Sequence, residues 1–334
     1  MCGILGFTGP APSDALSAML AALSHRGPDD RGSLSVGDVH LGQTRLAILD
    51  TGPAGHQPMA TRDGRFALVL NGEIYNHVAL RVPLASSGVT FDGHCDAETV
   101  LHHLARHGAD GLADLRGMYA LAFLDRATGD LVLARDRLGI KPLYWTESQR
   151  GFAFASESKA LLAGGFVDPG LDRQGVHHLL SFYVVPAPHA ALPGVRALCP
   201  GEVLVRRRDG SVTSSVPRDL RFDLDVPRDE PSARVAVRAA LEDAVTSHLL
   251  SDVTVGVFLS GGVDSGAVAL LAARATDGDV PAFTLAFGEE GAALDEADVA
   301  ARVARHGGLP HHVERVSGQD VRNALPAIVF AMDG

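Results

Sequence analysis

The sequence is short of lysine, of cysteine and of positive charge generally. Only two of its 29 basic residues are lysines, Lys141 and Lys159, against 40 acidic residues, and the formal net charge is −11. Such a chain lacks the basic face that nucleic acid or an anionic membrane surface requires, so neither is expected as a partner. No run approaches the ~18 consecutive apolar residues of a transmembrane helix. The opening MCGILGFTGP has no basic region and no long apolar one, so it does not read as a secretory signal. Three cysteines, Cys2, Cys95 and Cys199, make neither a disulfide framework nor a C-x-x-C pair. A reducing cytoplasm is the setting they imply, with Cys95 and Cys199 structural. There is no G-x-x-x-x-G-K-[ST] loop, and no lysine follows Lys159. The adjacent pairs His102-His103, His177-His178 and His311-His312 point to different faces and space poorly for a metal.

What is present is an ordinary globular composition, 46% hydrophobic and 21% charged over 334 residues, a length that suits two domains. The first two-thirds carries short apolar runs bounded by turn residues, which predicts strands. These are Cys2–Phe7, Val39–Leu41, Leu46–Leu49, Phe66–Leu70, Tyr119–Leu124, Leu131–Ala134, Leu143–Trp145 and Phe152–Ala155. Helices are expected over Ser13–Leu23 and Ala97–His107, giving an antiparallel α+β domain. The charged stretch Val205–Pro231 reads as a closing hairpin followed by a linker. Beyond it the pattern alternates. Helices are expected over Ser232–Leu250, Asp264–Ala275 and Leu294–His306, and strands over Val253–Leu259, Ala282–Phe287 and His312–Val316. That alternation predicts a parallel sheet with crossover helices, an α/β domain.

Cys2 follows the initiator methionine. Removal of Met1 would place a thiol and a free α-amine on one residue, and an unperturbed α-amine, with a pKa near ~7.7–8.0, can act as base at neutral pH. By position alone Cys2 reads first as a small hydrophobe opening a strand. The residues that follow favour the chemical reading. Arg45 has the fork geometry for a carboxylate. Asp96 and Glu73 suit an ammonium group. The Asn71 side-chain amide and the Gly72 N–H together make a two-donor oxyanion hole. The segments MCGI, HRGPDD, RLAILD, NGEIYN, DAE, RDRLGIKPLYW and ASESKAL occur in the order of the class II, N-terminal-nucleophile glutamine amidotransferases, and residues 2 to about 210 resemble that family. The resemblance implies an Ntn-hydrolase-like αββα sandwich over residues 2–215. Within it, Cys2 is the nucleophile, Asn71 and Gly72 the oxyanion hole, and Arg45–Leu49, Asn71–Glu73 and Asp96 the glutamine site, with Leu46, Ala47 and Ile48 in its wall. Asp136 and Arg137 read as scaffold.

The second domain opens on Ser260-Gly261-Gly262-Val263-Asp264-Ser265, between an expected strand and helix. That is where open α/β sheets bind ligands, and glycines at a helix start let backbone N–H groups meet phosphates. Asp264 could hold Mg²⁺ or cap the helix. The loop resembles the SGGxDS loop of N-type ATP pyrophosphatases. Beside a glutaminase domain, with SHLLSDVTVGVFLSGGVDS and FTLAFG, it resembles the glutamine-hydrolysing asparagine synthetase family. The resemblance implies an adenine nucleotide α-hydrolase-like domain over residues 232–334. ATP would be held by Leu259, Ser260, Gly261, Gly262, Asp264, Ser265 and Phe287, and Mg²⁺ by Asp264. It implies an ATP-dependent ligase that amidates aspartate with ammonia from glutamine, releasing AMP and pyrophosphate. Segments that complete that family's synthetase domain do not occur here. The domain is therefore expected to be incomplete, with only the glutaminase half competent, and the open partners are a second copy or a chain supplying the missing half. The alternatives are an amidotransferase of this build acting on another carboxylate in secondary metabolism, or a truncated, non-synthesising glutamine-binding or glutaminase protein. β-Lactam synthetases and lasso-peptide cyclases fit less well, because an internal or peptide amine needs no ammonia-generating cysteine.

Overall fold

The computed structural model describes residues 1–216, 229–287 and 295–333. The chain falls into two compact units, one over Met1–Arg221 with Asp333–Gly334 and one over Phe222–Met332. The linker half of the 205–231 stretch, Gly288 of the FTLAFG run and Leu294 at the start of an expected helix lie outside the described residues.

In the first unit two six-stranded sheets are built from β1 (Gly3–Thr8), β2 (Asp30–Val36), β3 (Val39–Arg45), β4 (Met59–Ala60), β5 (Phe66–Ile74), β6 (Gly117–Asp125), β7 (Asp130–Arg135), β8 (Tyr144–Ser148), β9 (Gly151–Ala155), β10 (Arg196–Ala197), β11 (Val203–Arg206) and β12 (Val212–Ser215). One sheet runs β10-β8-β9-β1-β3-β2 and the other β12-β11-β7-β6-β5-β4, with antiparallel neighbours. Their strands alternate sides with a period of two. Ile4, Val39, Leu41, Ala67, Val69, Ala120, Ala122 and Phe154 meet in the layer between the sheets. On the outer face of the first sheet, Leu5 and Phe7 pack with Met19 and Leu20 of α1 (Ala15–Ala22) and Leu161 of α4 (Ser158–Ala163). On the outer face of the second, Leu68, Leu70 and Leu121 pack with Val100, Leu101 and Leu104 of α3 (Asp96–His107). The layers are helix, sheet, sheet, helix. With both faces of each sheet covered, the central strands are apolar throughout, which is why they read as continuous hydrophobic runs.

Two sequence expectations need correction. Leu46–Leu49 is loop, not strand. Its backbone donors go to side chains instead of a ladder: the Leu46 N–H meets Cys2 Sγ and the Ala47 N–H meets the Asp29 carboxylate. The expected buried strand Val253–Leu259 shrinks to β13 (Val257–Phe258), in which Phe258 is 87% exposed. Helices α2 (His77–Ser86) and α5 (Arg173–Phe182) and strand β2 went unread, because their polar residues break the apolar periodicity.

The second unit carries a parallel sheet, β13-β14-β15, with β14 at Ala282–Phe287 and β15 at His311–Val316. Its helices are α6 (Glu230–His248), α7 (Val263–Ala275), α8 (Ala297–Gly307) and α9 (Gly318–Met332). Val245, Leu259, Ala269, Ala272, Ala282, Ala300 and Ala304 form its core, where small alanines let helices approach the sheet closely. No described helix is long and apolar enough to cross a membrane.

Phe154 is fully buried between the two sheets of the first unit. Phe154→Ala is expected to cost about 3–5 kcal/mol through lost transfer energy and a cavity. Urea unfolding followed by circular dichroism should show the loss as a lowered midpoint with an unchanged slope.

Candidate active site

The strand alternation that builds the core also builds a polar site at its end. Cys2 extends the inward face that Ile4 occupies on β1. Gln43 and Arg45 follow Val39 and Leu41 on β3, and Asn71 and Glu73 follow Ala67 and Val69 on β5. Gly3 pairs with Thr44, so the start of β1 lies beside the end of β3. The inter-sheet layer thus passes from apolar to polar side chains without leaving the sheets.

Cys2 is half-buried, and its thiol lies against the Leu46 peptide, with Sγ 3.4 Å from the amide nitrogen. Burial pushes the thiol pKa up, opposed by the Leu46 N–H. Behind it, Ile4 is gripped by Ser156, whose Oγ accepts the Ile4 N–H at 2.9 Å and whose N–H donates to the Ile4 carbonyl at 2.8 Å. Arg26 donates from Nε to the Cys2 carbonyl at 2.9 Å.

The free edge of β5 accounts for the next pair of residues. β4 covers that edge only as far as Leu68. Beyond it, the Leu70 N–H donates to Gln57 Oε1 at 2.7 Å, and Gln43 Nε2 donates to the Leu70 carbonyl at 2.8 Å. The Ile74 N–H donates to Asp96 Oδ2 at 2.8 Å. In an antiparallel ladder alternate residues turn their peptide groups outward, and Leu70, Gly72 and Ile74 share that phase. The Gly72 N–H is therefore the outward donor that no described acceptor takes. Gly72 has no room for a side chain, because a Cβ would run into the Met118 carbonyl. Asn71 is 1% exposed, and neither its Oδ1 nor its Nδ2 has a partner. Buried polar atoms rarely stay unpaired, and both ends of this amide are open to a ligand atom.

Two carboxylates face each other nearby. Burial and the neighbouring Asp96 raise Glu73 to about 8. Burial raises Asp96 to about 6, although the Ile74 and Ala97 N–H groups and Arg45 favour its charge. Burial lowers the Lys141 ammonium, which faces Glu73, Arg26 and Cys2. An incoming ammonium would let both carboxylates ionise. Arg45 is buried, and its Nη groups donate to the carbonyls of Leu49, Asp50 and Gly52, fastening the loop that carries Leu46. Three of its five donors are thus engaged by the loop. Asp136 accepts N–H bonds from Tyr119, Leu138, Ile140 and Lys141, the scaffold role expected of it, while Arg137 is exposed.

In the second unit a loop over residues 259–262 joins β13 to α7, whose first turn carries Val263, Asp264 and Ser265. Ser260 and Ser265 hydroxyls meet at 2.8 Å, and the Gly261 N–H donates to the Glu296 carboxylate at 2.9 Å. The N-cap of α7 is Gly262, so Asp264 lies in the first turn and does not cap the helix. Leu259 is buried and Phe287 half-buried, the latter with its N–H on Asp295. Among the described residues no group of three or more His, Cys, Asp or Glu could hold a metal.

Residues 1–216 match the family described as glutamine amidotransferase domain, and residues 236–334 match asparagine synthase. By its first 216 residues, well over half of its length, the chain belongs to the glutamine amidotransferase domain family. It is 38% identical over 361 residues to a putative asparagine synthetase [glutamine-hydrolyzing] of Mycobacterium tuberculosis, covering 100% of this chain and 54% of that protein. It is 33% identical over 340 residues to asparagine synthetase [glutamine-hydrolyzing] 1 of Bacillus subtilis, covering 100% and 53%. The chain thus spans about half the length of these relatives. Among solved structures, a glutamine phosphoribosylpyrophosphate amidotransferase of B. subtilis aligns with a TM-score of 0.50 at 18% identity, covering 94% of this chain and 81% of that one. At that identity the likeness speaks for the fold alone. The first unit brings the six residues read from the sequence, Cys2, Arg45, Asn71, Gly72, Glu73 and Asp96, to one end of the sandwich. Gln43 and Gln57 went unread as parts of it, and Arg26 and Lys141 were given no role of their own although the segments HRGPDD and RDRLGIKPLYW contain them.

The raised Glu73 pKa makes a prediction for folding. A carboxyl raised from 4.5 in the unfolded chain to about 8 favours the native state most at low pH. Its contribution falls as pH rises from about 5 through 8. Thermal melts of Glu73→Gln should show a smaller stability loss over that window than the parent chain.

Proposed function

We propose that the first unit is a glutaminase and that it supplies ammonia to an ATP-dependent amidation of aspartate. The carrying observation is the convergence of a half-buried thiol, an outward Gly72 N–H and a buried, unpaired Asn71 amide. Removal of Met1 leaves the α-amine on Cys2. That amine takes the thiol proton as Sγ attacks the glutamine carboxamide carbon. The oxyanion is met by Asn71 Nδ2 and the Gly72 N–H. The proton passes to the departing nitrogen, ammonia leaves, and water hydrolyses the γ-glutamyl thioester to glutamate. Glu73 and Asp96 hold the substrate α-ammonium, which restores charge balance to a raised carboxylate pair. Arg45, with Leu46–Leu49, holds the α-carboxylate.

We assign residues 2–215 to the glutaminase domain and 232–334 to the start of a nucleotide domain. A loop whose Gly261 N–H already draws the Glu296 carboxylate fits a phosphate oxygen there. Ser260, Gly261, Gly262 and Ser265 would hold the ATP phosphates, with Leu259 and Phe287 against the nucleotide. Asp264, in the first turn of α7, would hold Mg²⁺, which neutralises charge on the polyphosphate. ATP activates the aspartate β-carboxylate as an acyl-adenylate, ammonia displaces AMP, and pyrophosphate is the other product. Three free cysteines accord with a reducing cytoplasm as the setting.

Glutamate release by the full-length protein tests the first half. Cys2→Ala should abolish it, and surviving activity would sink the assignment. Asn71→Ala should lower kcat by ~10²–10³ with little change in KM, as loss of one oxyanion donor does. Asp96→Asn should act mainly on KM, because the α-ammonium does not change during the reaction. Pyrophosphate release that requires both aspartate and ATP tests the second half, and release with a different carboxylate would reassign the acceptor.

A further inference from the structure

The end of β9 holds a buried carboxylate that no step above uses. Glu157 is 2% exposed, and the side chains of Arg26, Lys159 and His25 converge on it. Arg26 Nη1 lies 2.6 Å away, Lys159 Nζ 2.7 Å and His25 Nε2 3.1 Å. A carboxylate this buried is costly to hold charged unless it is paired. Burial alone would raise its pKa, but Lys159 and Arg26 hold it below the usual value. It is therefore a fixed negative charge.

The geometry connects that charge to the nucleophile. A guanidinium is planar, so fixing one Nη fixes the direction of Nε–H. With Nη1 on Glu157, Arg26 directs Nε–H at the Cys2 carbonyl at 2.9 Å. Cys2 is followed by Gly3, the residue type with the greatest backbone freedom. Once Met1 is gone, Cys2 hangs from a single peptide bond. The Leu46 peptide then holds it at the thiol and Arg26 at the carbonyl.

We propose that Glu157 is a positioning residue for the nucleophile, acting through Arg26 on the backbone of Cys2. The inference rests on the glutaminase reading for its consequence in turnover, but the placing of Cys2 can be read independently. The adjacent Ser156 grips Ile4, so one short segment after β9 fastens both the strand and its terminal residue.

The test is Glu157→Gln in the full-length protein with Met1 removed. The amide keeps the shape and one acceptor oxygen but loses the charge. Glutamate release should fall at least tenfold in kcat with KM for glutamine within twofold. Iodoacetamide alkylation of Cys2, followed by peptide mass spectrometry, should instead speed up at least threefold as the thiol leaves its seat against Leu46. Buried Cys95 should stay unreactive. Glu157→Asp, which keeps the charge one methylene short, should lie between the parent and Glu157→Gln. If Glu157→Gln does not fold, Arg26→Lys, which lacks the fork, should give the same split. Parent-like kcat and alkylation would overturn the proposal. So would a loss of kcat accompanied by a lowered melting temperature and labelling of Cys95, which would mark a merely structural role. If the parent protein releases no glutamate, the glutaminase reading fails, and the Cys2 alkylation ratio still decides whether Glu157 positions it.

Discussion

Everything at the candidate glutamine site depends on the face-to-face packing of two antiparallel sheets. Strand alternation sends every second residue of β1, β3 and β5 into the layer between them. Along most of that layer the residues are Ile4, Val39, Leu41, Ala67 and Val69, and they exclude water. At one end the same faces present Cys2, Arg45, Asn71 and Glu73. The site is the place where the core's own pattern turns polar, so its side chains inherit the rigidity of the sheets.

Burying polar groups at the edge of an apolar layer demands partners, and the structure supplies them from the backbone. Gln43 and Gln57 complete the β5 edge at Leu70, immediately before Asn71. Asp136 gathers four N–H groups below Lys141. Arg45 ties three loop carbonyls. Beside these, neither end of the buried Asn71 amide has a partner.

The second unit follows another logic. Its sheet is parallel and its loop lies where a strand gives way to a helix. The backbone donors at that helix start are met by small hydroxyls and by Glu296. A carboxylate at a glycine N–H reflects the same attraction for anions that a helix start has for phosphate.

The local motifs were legible because each carries its chemistry within a few residues. Cys2 beside the initiator, NGE at Asn71–Glu73, Arg45 before an apolar run and SGGVDS could be read by position and residue type. The α+β and α/β patterns were legible too, since hydrophobic periodicity is a local property. Leu46–Leu49 was misread because a short apolar run does not reveal whether its N–H groups meet a ladder or side chains. Tertiary structure alone decided the rest. Glu157 meets Arg26 across 131 residues, Gln43 reaches Leu70 across 27, and Cys2 meets Leu46 across 44. Such pairings follow from strand register and sheet packing. They leave no spacing in the sequence, because what brings the partners together is the fold and not the chain between them.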